Sequence, residues 1–394
     1  MTKRRFVQVL IIFIVLFFSS RILADDGDIL NLDQLIGKQM ESLKINELEQ
    51  LVREINNTTK DALPKIDFKD FMVSLIKGKN VLDGEKILNG IFKIVFSEVI
   101  ANSTLLAKLL ILGILCSLFT NIQTAFESDG VGEIAFYVCY IILISLSIKS
   151  FVIAMEITWK AINDMVLLMQ ILLPILLTLL VAVGGITTSS LFKPIVLGAV
   201  SIISTLMKDI ILPLVFYSTV VGIICKISSR MQITKISSLI RQISTAIIGI
   251  SLTIFIGIIS IQGSMAAKVD GVTIRTAKFA VDKFVPIVGK FLSDVMETVV
   301  GCSMVLKNAV GAIGMISLFF ICIIPIIKIL SLIFIYKVAG ALVEPITNNK
   351  IVECINEISK SLIMLLATVT SVGVMFFIAV TIVISAGNAT VMLR

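Results

Sequence analysis

The sequence predicts an all-α fold: a polytopic transmembrane helical bundle of about seven or eight spans, some proline-broken or re-entrant, behind a small helical extracytoplasmic N-terminal domain. Three observations lead there. Of 394 residues, 57% are hydrophobic and 15% charged, against about half apolar and a quarter charged in soluble chains. The mean hydropathy is +1.05. The apolar residues fall in runs close to or above the roughly 20 residues that cross a bilayer core as a helix.

The chain begins MTKRRFVQVLIIFIVLFFSSRILADDGD, with Lys3, Arg4 and Arg5 ahead of an apolar run and a small residue before a block of aspartates. That is the layout of a secretory signal, with cleavage expected between Ala24 and Asp25. An uncleaved anchor is the alternative, and either places the next segment outside the cytoplasm. From Asp25 to about Ile100 the charges are mixed and Leu, Ile and Val recur at helical intervals, as in LDQLIGKQMESLKINELEQLVREI, interrupted at Pro64. This reads as a small helical domain.

Spanning candidates follow at Ser103 to Thr120, Ile134 to Ile157, Met165 to Gly184, Pro194 to Ile227, Ser244 to Gln262, Asn308 to Ile346 and Ser361 to Ile384. Pro194 to Ile227 would make a helix of about 50 Å, too long for one crossing of a hydrocarbon core of about 30 Å. Lys208-Asp209 at its centre, with Pro213 just beyond, predicts a hairpin tip there. Asn308 to Ile346, with Pro325 and Lys328 at its centre, predicts a second broken pair. The loop bearing Lys226, Arg230, Lys235 and Arg241 has no acidic residue and is expected in the cytoplasm. Counting from it puts 263–307 outside and Arg394 inside. The expected organisation is therefore a signal peptide (1–24), an extracytoplasmic helical domain (25–102), transmembrane helices (103–262), an amphipathic extracytoplasmic segment (263–307) and C-terminal transmembrane helices (308–394).

The chain contains no histidine. That removes imidazole bases, Ser-His and Cys-His pairs and most zinc sites. The six cysteines are widely separated, lack C-x-x-C spacing and read as small buried hydrophobes. No set of residues suits an intramembrane protease, and no phosphate-binding loop pattern occurs. No catalytic residue, cofactor, metal or nucleic-acid partner is expected, and the lipid bilayer is the first partner.

Proline lies inside apolar runs at Pro174, Pro213 and Pro325. Discontinuous helices lining a solute path are one reading; ordinary tolerance of proline in membrane helices is the other and the preferred one. Charges within apolar runs are Lys108, Lys149, Glu156, Asp209, Lys307 and Lys328. Lys108 and Lys307 lie near span ends and are expected to snorkel outward. Lys149 and Glu156 share a helical face and suit a structural ion or hydrogen-bond role, and Trp159-Lys160 suits an interfacial anchor. Thr245, Gly249, Thr253 and Gly257 recur every four residues, forming a small-residue face for close packing on a helix of this chain or of another subunit.

The stretch GVTIRTAKFAVDKFVPIVGK, Gly271 to Lys290, interrupts this pattern. On a helix running on to Val299, Arg275, Lys278, Asp282, Pro286, Lys290, Asp294 and Glu297 share a charged stripe, and Ala277, Ala280, Phe284, Ile287, Phe291, Val295 and Val299 an apolar one. Such a helix lies on the bilayer surface, lines an aqueous path or docks a partner.

The run SIQGSMAAKVDGVTIRTAKFAVDKFVPIVGKFLSDVMETVVGCSMVLKNAVG, Ser260 to Gly311, closely resembles the stage III sporulation protein AE family of endospore-forming bacteria. The resemblance extends over the whole chain to the ending VISAGNATVMLR. It implies a multi-pass protein of the mother-cell membrane around the engulfed forespore, where it assembles with other operon-encoded membrane proteins and a forespore partner into a trans-envelope channel, the feeding tube. It implies no catalytic residues. A permease acting by itself is the alternative reading of function.

Overall fold

A backbone in hydrocarbon has no water to satisfy its N–H and C=O groups, so it must close its hydrogen bonds within itself. The chain does so with helices. The computed structural model describes residues 47–50, 53, 74, 84–126, 131–227, 234–284, 288–347 and 349–392, and no strand occurs among them. In order, the helices are α1 (Gly84–Ala101), α2 (Ser103–Phe126), α3 (Val131–Ala182), α4 (Ile186–Thr205), a π-helical segment (Leu206–Ile211), α5 (Leu212–Ile227), α6 (Thr234–Phe284), α7 (Val288–Val343) and α8 (Asn349–Met392).

Among the described residues, six stretches are long and apolar enough to cross a membrane: Ile87–Asn121, Ile134–Ala182, Ile186–Lys226, Lys235–Gly263, Thr298–Val343 and Asn349–Asn388. Three interruptions expected from the sequence are absent among the described residues. Ile134 to Ile157 and Met165 to Gly184 are halves of the single helix α3. The polar residues between them, Lys160, Asn163 and Asp164, interrupt apolarity without interrupting helical hydrogen bonding. The hairpin expected at Lys208-Asp209 is likewise absent. The chain passes continuously from α4 through the π segment into α5. The π turn ends just before Pro213, whose ring would clash with the carbonyl of Asp209 in a regular helix and which has no N–H to donate. Asn308 to Ile346 is also one helix, with Pro325 inside α7. Pro174 lies inside α3 in the same way.

Residues 1–24, the expected cleavage pair Ala24 and Asp25, and most of the expected domain 25–102 lie outside the described residues. The apolar stretch starts at Ile87, within that expected domain. At the α1–α2 junction both the backbone N–H and the side-chain amide of Asn102 donate to the Glu98 carbonyl, at 3.1 and 2.9 Å.

Contacts between distant residues show how the passes alternate. At one end of the bundle Ser117 on α2 donates to the Ile346 carbonyl, Thr347 Oγ1 donates to the Gly113 carbonyl at 3.3 Å, and Lys226 pairs with Glu353 at 2.7 Å. At the other end α3 turns into α4 and Lys307 meets Asn388. The tight α3–α4 turn uses Gly184 at φ 96°, a left-handed conformation favoured by glycine. The helices alternate in direction, so the C-terminal end of α8 lies at the α3–α4 end of the bundle, away from the end where α5 finishes and α6 starts; Arg394 lies outside the described residues.

The centre is built from α3, α7 and α8, each packed on the other two. Leu172, Leu176, Val310, Val369, Val372 and Phe376 are fully buried there. Close approach depends on missing side chains: a Cβ at Gly314 would run into Leu172 on α3, and one at Gly311 into Ile384 on α8.

Candidate functional site

Polar side chains inside such a bundle are costly, so each must be explained by a partner or by access to water or headgroups. Three groups stand out. The first is a knot at the 228–233 end around Glu357 of α8, 7% exposed. Arg241 of α6 donates to its Oε1 at 2.5 Å, Ser237 of α6 donates to the same oxygen at 3.2 Å, and Lys360 lies 3.8 Å from Oε2. On α5, Gly222 faces this carboxylate, and a Cβ there would collide with it. A helical turn away, Lys226 of α5 pairs with Glu353. The knot thus ties α5, α6 and α8 together.

The second is at the opposite end. Lys307 of α7 is 0% exposed, and its ammonium donates to the Ile384 carbonyl at 2.8 Å and to Asn388 Oδ1 at 3.0 Å. Gly387 makes room for it, since a Cβ there would run into the ammonium. The sequence reading had Lys307 snorkelling outward. The structure turns it inward because two acceptors from α8 replace water there.

The third lies at mid-height between α3 and the π segment with α5. Lys208 donates to Asn163 Oδ1 at 3.2 Å and sits 5.7 Å from the centre of the Trp159 ring. Lys208, Trp159 and Glu156 line a cavity of about 370 Å³. Lys149 and Glu156, which share a helical face, are both exposed and do not form an ion pair. Lys328, also at mid-height, lies 4.0 Å from Glu98.

Two expected features are placed differently from these. Thr245, Gly249 and Thr253 are exposed and Gly257 half-exposed, and a Cβ at either glycine would meet nothing within 4 Å. α6 buries instead Ser244, Ile248, Phe255 and Ile259. Thr245 touches this chain through Met364, at 3.4 Å from its sulfur. The charged stripe is divided between two helices. Arg275, Lys278 and Asp282 lie on the last turns of α6, and Lys290 and Asp294 on the first turns of α7. The side chains of 264–297 are outside the described residues. All six cysteines are free, and among the described residues no three His, Cys, Asp or Glu side chains gather as a metal site requires.

The fold and these junctions define a helical multi-pass membrane protein in which polar contacts at both ends of the bundle hold helices to one another. The profile of the family described as Stage III sporulation protein AE matches residues 66–387, and the chain belongs to that family. A curated relative from Bacillus subtilis (strain 168), itself named stage III sporulation protein AE, is 34% identical over 362 residues, covering 92% of this chain and 90% of its own. No solved structure matches the chain significantly.

Proposed function

We propose that the protein is a non-enzymatic subunit of the channel complex that joins mother cell to forespore, seated in the mother-cell membrane that surrounds the forespore. The observation that carries this over a self-sufficient permease is the continuity of its helices. Pro174 and Pro325 sit within uninterrupted helices, and Pro213 follows a π turn with no break in the chain's helical course. The alternating-access reading relied on broken helices lining a path, and the centre among α3, α7 and α8 is instead filled by fully buried apolar side chains.

In this reading the end bearing Lys226, Lys235 and Arg241 faces the cytoplasm. The opposite end, with 264–297 and the N-terminal segment, faces the intermembrane space and meets the other subunits. The outward small-residue face Thr245, Gly249, Thr253 and Gly257 packs against a neighbouring subunit. The test is reconstitution of the full chain alone in vesicles, beside co-purification with the other membrane proteins of its operon. Retained partners with no solute flux are expected. Flux by the chain alone, without partners, would establish the permease instead.

A further inference from the structure

The mid-height cavity has a composition that the helix-joining role does not use. Glu156 and Lys208 line the same space, yet they are not within ion-pair distance of each other, and Glu156 has no hydrogen-bond partner among the described residues. The Lys208 ammonium gives one hydrogen bond to Asn163 and keeps two N–H groups. The rest of the lining is apolar or aromatic: Met155, Trp159, Leu212, Pro213, Phe216 and Tyr217. Trp159 is 50% exposed and Tyr217 60%, so the cavity opens on the outside of the bundle.

Its height matches a headgroup layer. Cys322 and Met165 touch at 3.1 Å, and α3 and α7 are antiparallel. Lys328, six residues beyond Cys322 and about 9 Å along the helix, is therefore level with Trp159. A single girdle carries Glu98, Glu156, Trp159, Lys208 and Lys328. The apolar stretch of α3, Ile134–Ala182, extends about 33 Å to either side of it, close to the hydrocarbon thickness of about 30 Å. A bilayer on either side of the girdle puts the cavity at its surface, where tryptophan and tyrosine concentrate.

We propose that this cavity binds the headgroup of an aminophospholipid. The phosphate sits on Lys208 and the primary ammonium on Glu156. An acyl chain runs along Met155, Leu212 and Phe216. The π turn is what sets Lys208 against the cavity while Pro213 follows it.

The test uses the full chain purified in detergent, with retained lipid counted by native mass spectrometry after addition of phosphatidylethanolamine, phosphatidylglycerol or phosphatidylcholine. Phosphatidylethanolamine is expected to be held about tenfold more tightly than the other two, the scale of one hydrogen bond to a charged group. Glu156→Gln removes that preference and keeps phosphatidylglycerol binding. Lys208→Met weakens all three lipids. Equal retention of the three by the unaltered protein, or a preference that survives Glu156→Gln, overturns the proposal. So does competition by glycerophosphoethanolamine at the concentration of the lipid itself, which would make the ligand a soluble zwitterion.

Discussion

The Lys307 ammonium and Asn388 Oδ1, on α7 and α8, lie 3.0 Å apart in a site closed to solvent, with no carboxylate within ion-pair distance among the described residues. A cation so placed depends on neutral acceptors alone. Lys307→Met keeps the volume but removes both hydrogen bonds and leaves two acceptors facing a methyl group. It is expected to lower stability by about 1–3 kcal/mol, read as a lower unfolding temperature in detergent. An unchanged melting curve would show that the ammonium holds nothing.

Gly222 and Glu357 form a second pair that a double-mutant cycle can isolate. Gly222→Ala drives a methyl into the carboxylate and is expected to destabilise the protein. Glu357→Ala leaves Arg241 without its acid, at an expected cost of about 2 kcal/mol, below the range for fully buried pairs because Arg241 keeps some exposure. In the Glu357→Ala background the Gly222→Ala penalty should largely vanish, because the colliding atoms are gone. Additive penalties would mean that the alanine methyl meets something else.

Glycines of α6 and α7 should respond in opposite ways. Gly249→Leu and Gly257→Leu are expected to leave the stability of the isolated chain within about 0.5 kcal/mol, the scale of ordinary surface changes. If the face packs on another subunit, they abolish co-purification with it. Gly314→Ala, directed at Leu172, is expected to destabilise the chain itself. Normal assembly by both leucine variants would leave the face merely lipid-exposed.

Single-cysteine labelling in a cysteine-free background decides the number of crossings. Ser229 and Ser293 are expected on opposite sides, and a tag after Arg394 on the side of Ser293. A tag on the side of Ser229 would require an even number of passes between Ser229 and the C-terminus.

Reversing charge at Arg275, Lys278 and Lys290 together is expected to block sporulation with protein level unchanged. Normal spore yield would make the stripe an idle surface.

The two ends of the bundle and its middle show why some features are legible in a sequence and others are not. Helix over strand follows from the length of the apolar runs and the absence of water in hydrocarbon, and it is readable without any contact. So is the surplus of basic residues around Lys226 and Arg241. The breaks were misread because a charged or proline-bearing stretch such as Lys208 to Pro213 looks the same whether the chain reverses or widens into a π turn. What differs is the neighbour: Asn163 and Trp159 of α3 receive Lys208 and make continuation favourable. Lys307 was misread for the same reason, since its acceptors lie 77 and 81 residues away on α8.

Sequence alone determined that this is a helical membrane protein, where its basic loop falls and which family it resembles. These depend on composition and on patterns within a few turns of chain. Tertiary structure decided that α3, the passage from α4 to α5 and α7 each run on unbroken, that Lys307 turns inward, that Thr245 to Gly257 faces outward, and that Glu156 and Lys208 share one cavity. Each of those depends on which helix lies alongside, a relation between residues tens to more than a hundred positions apart that no local periodicity encodes.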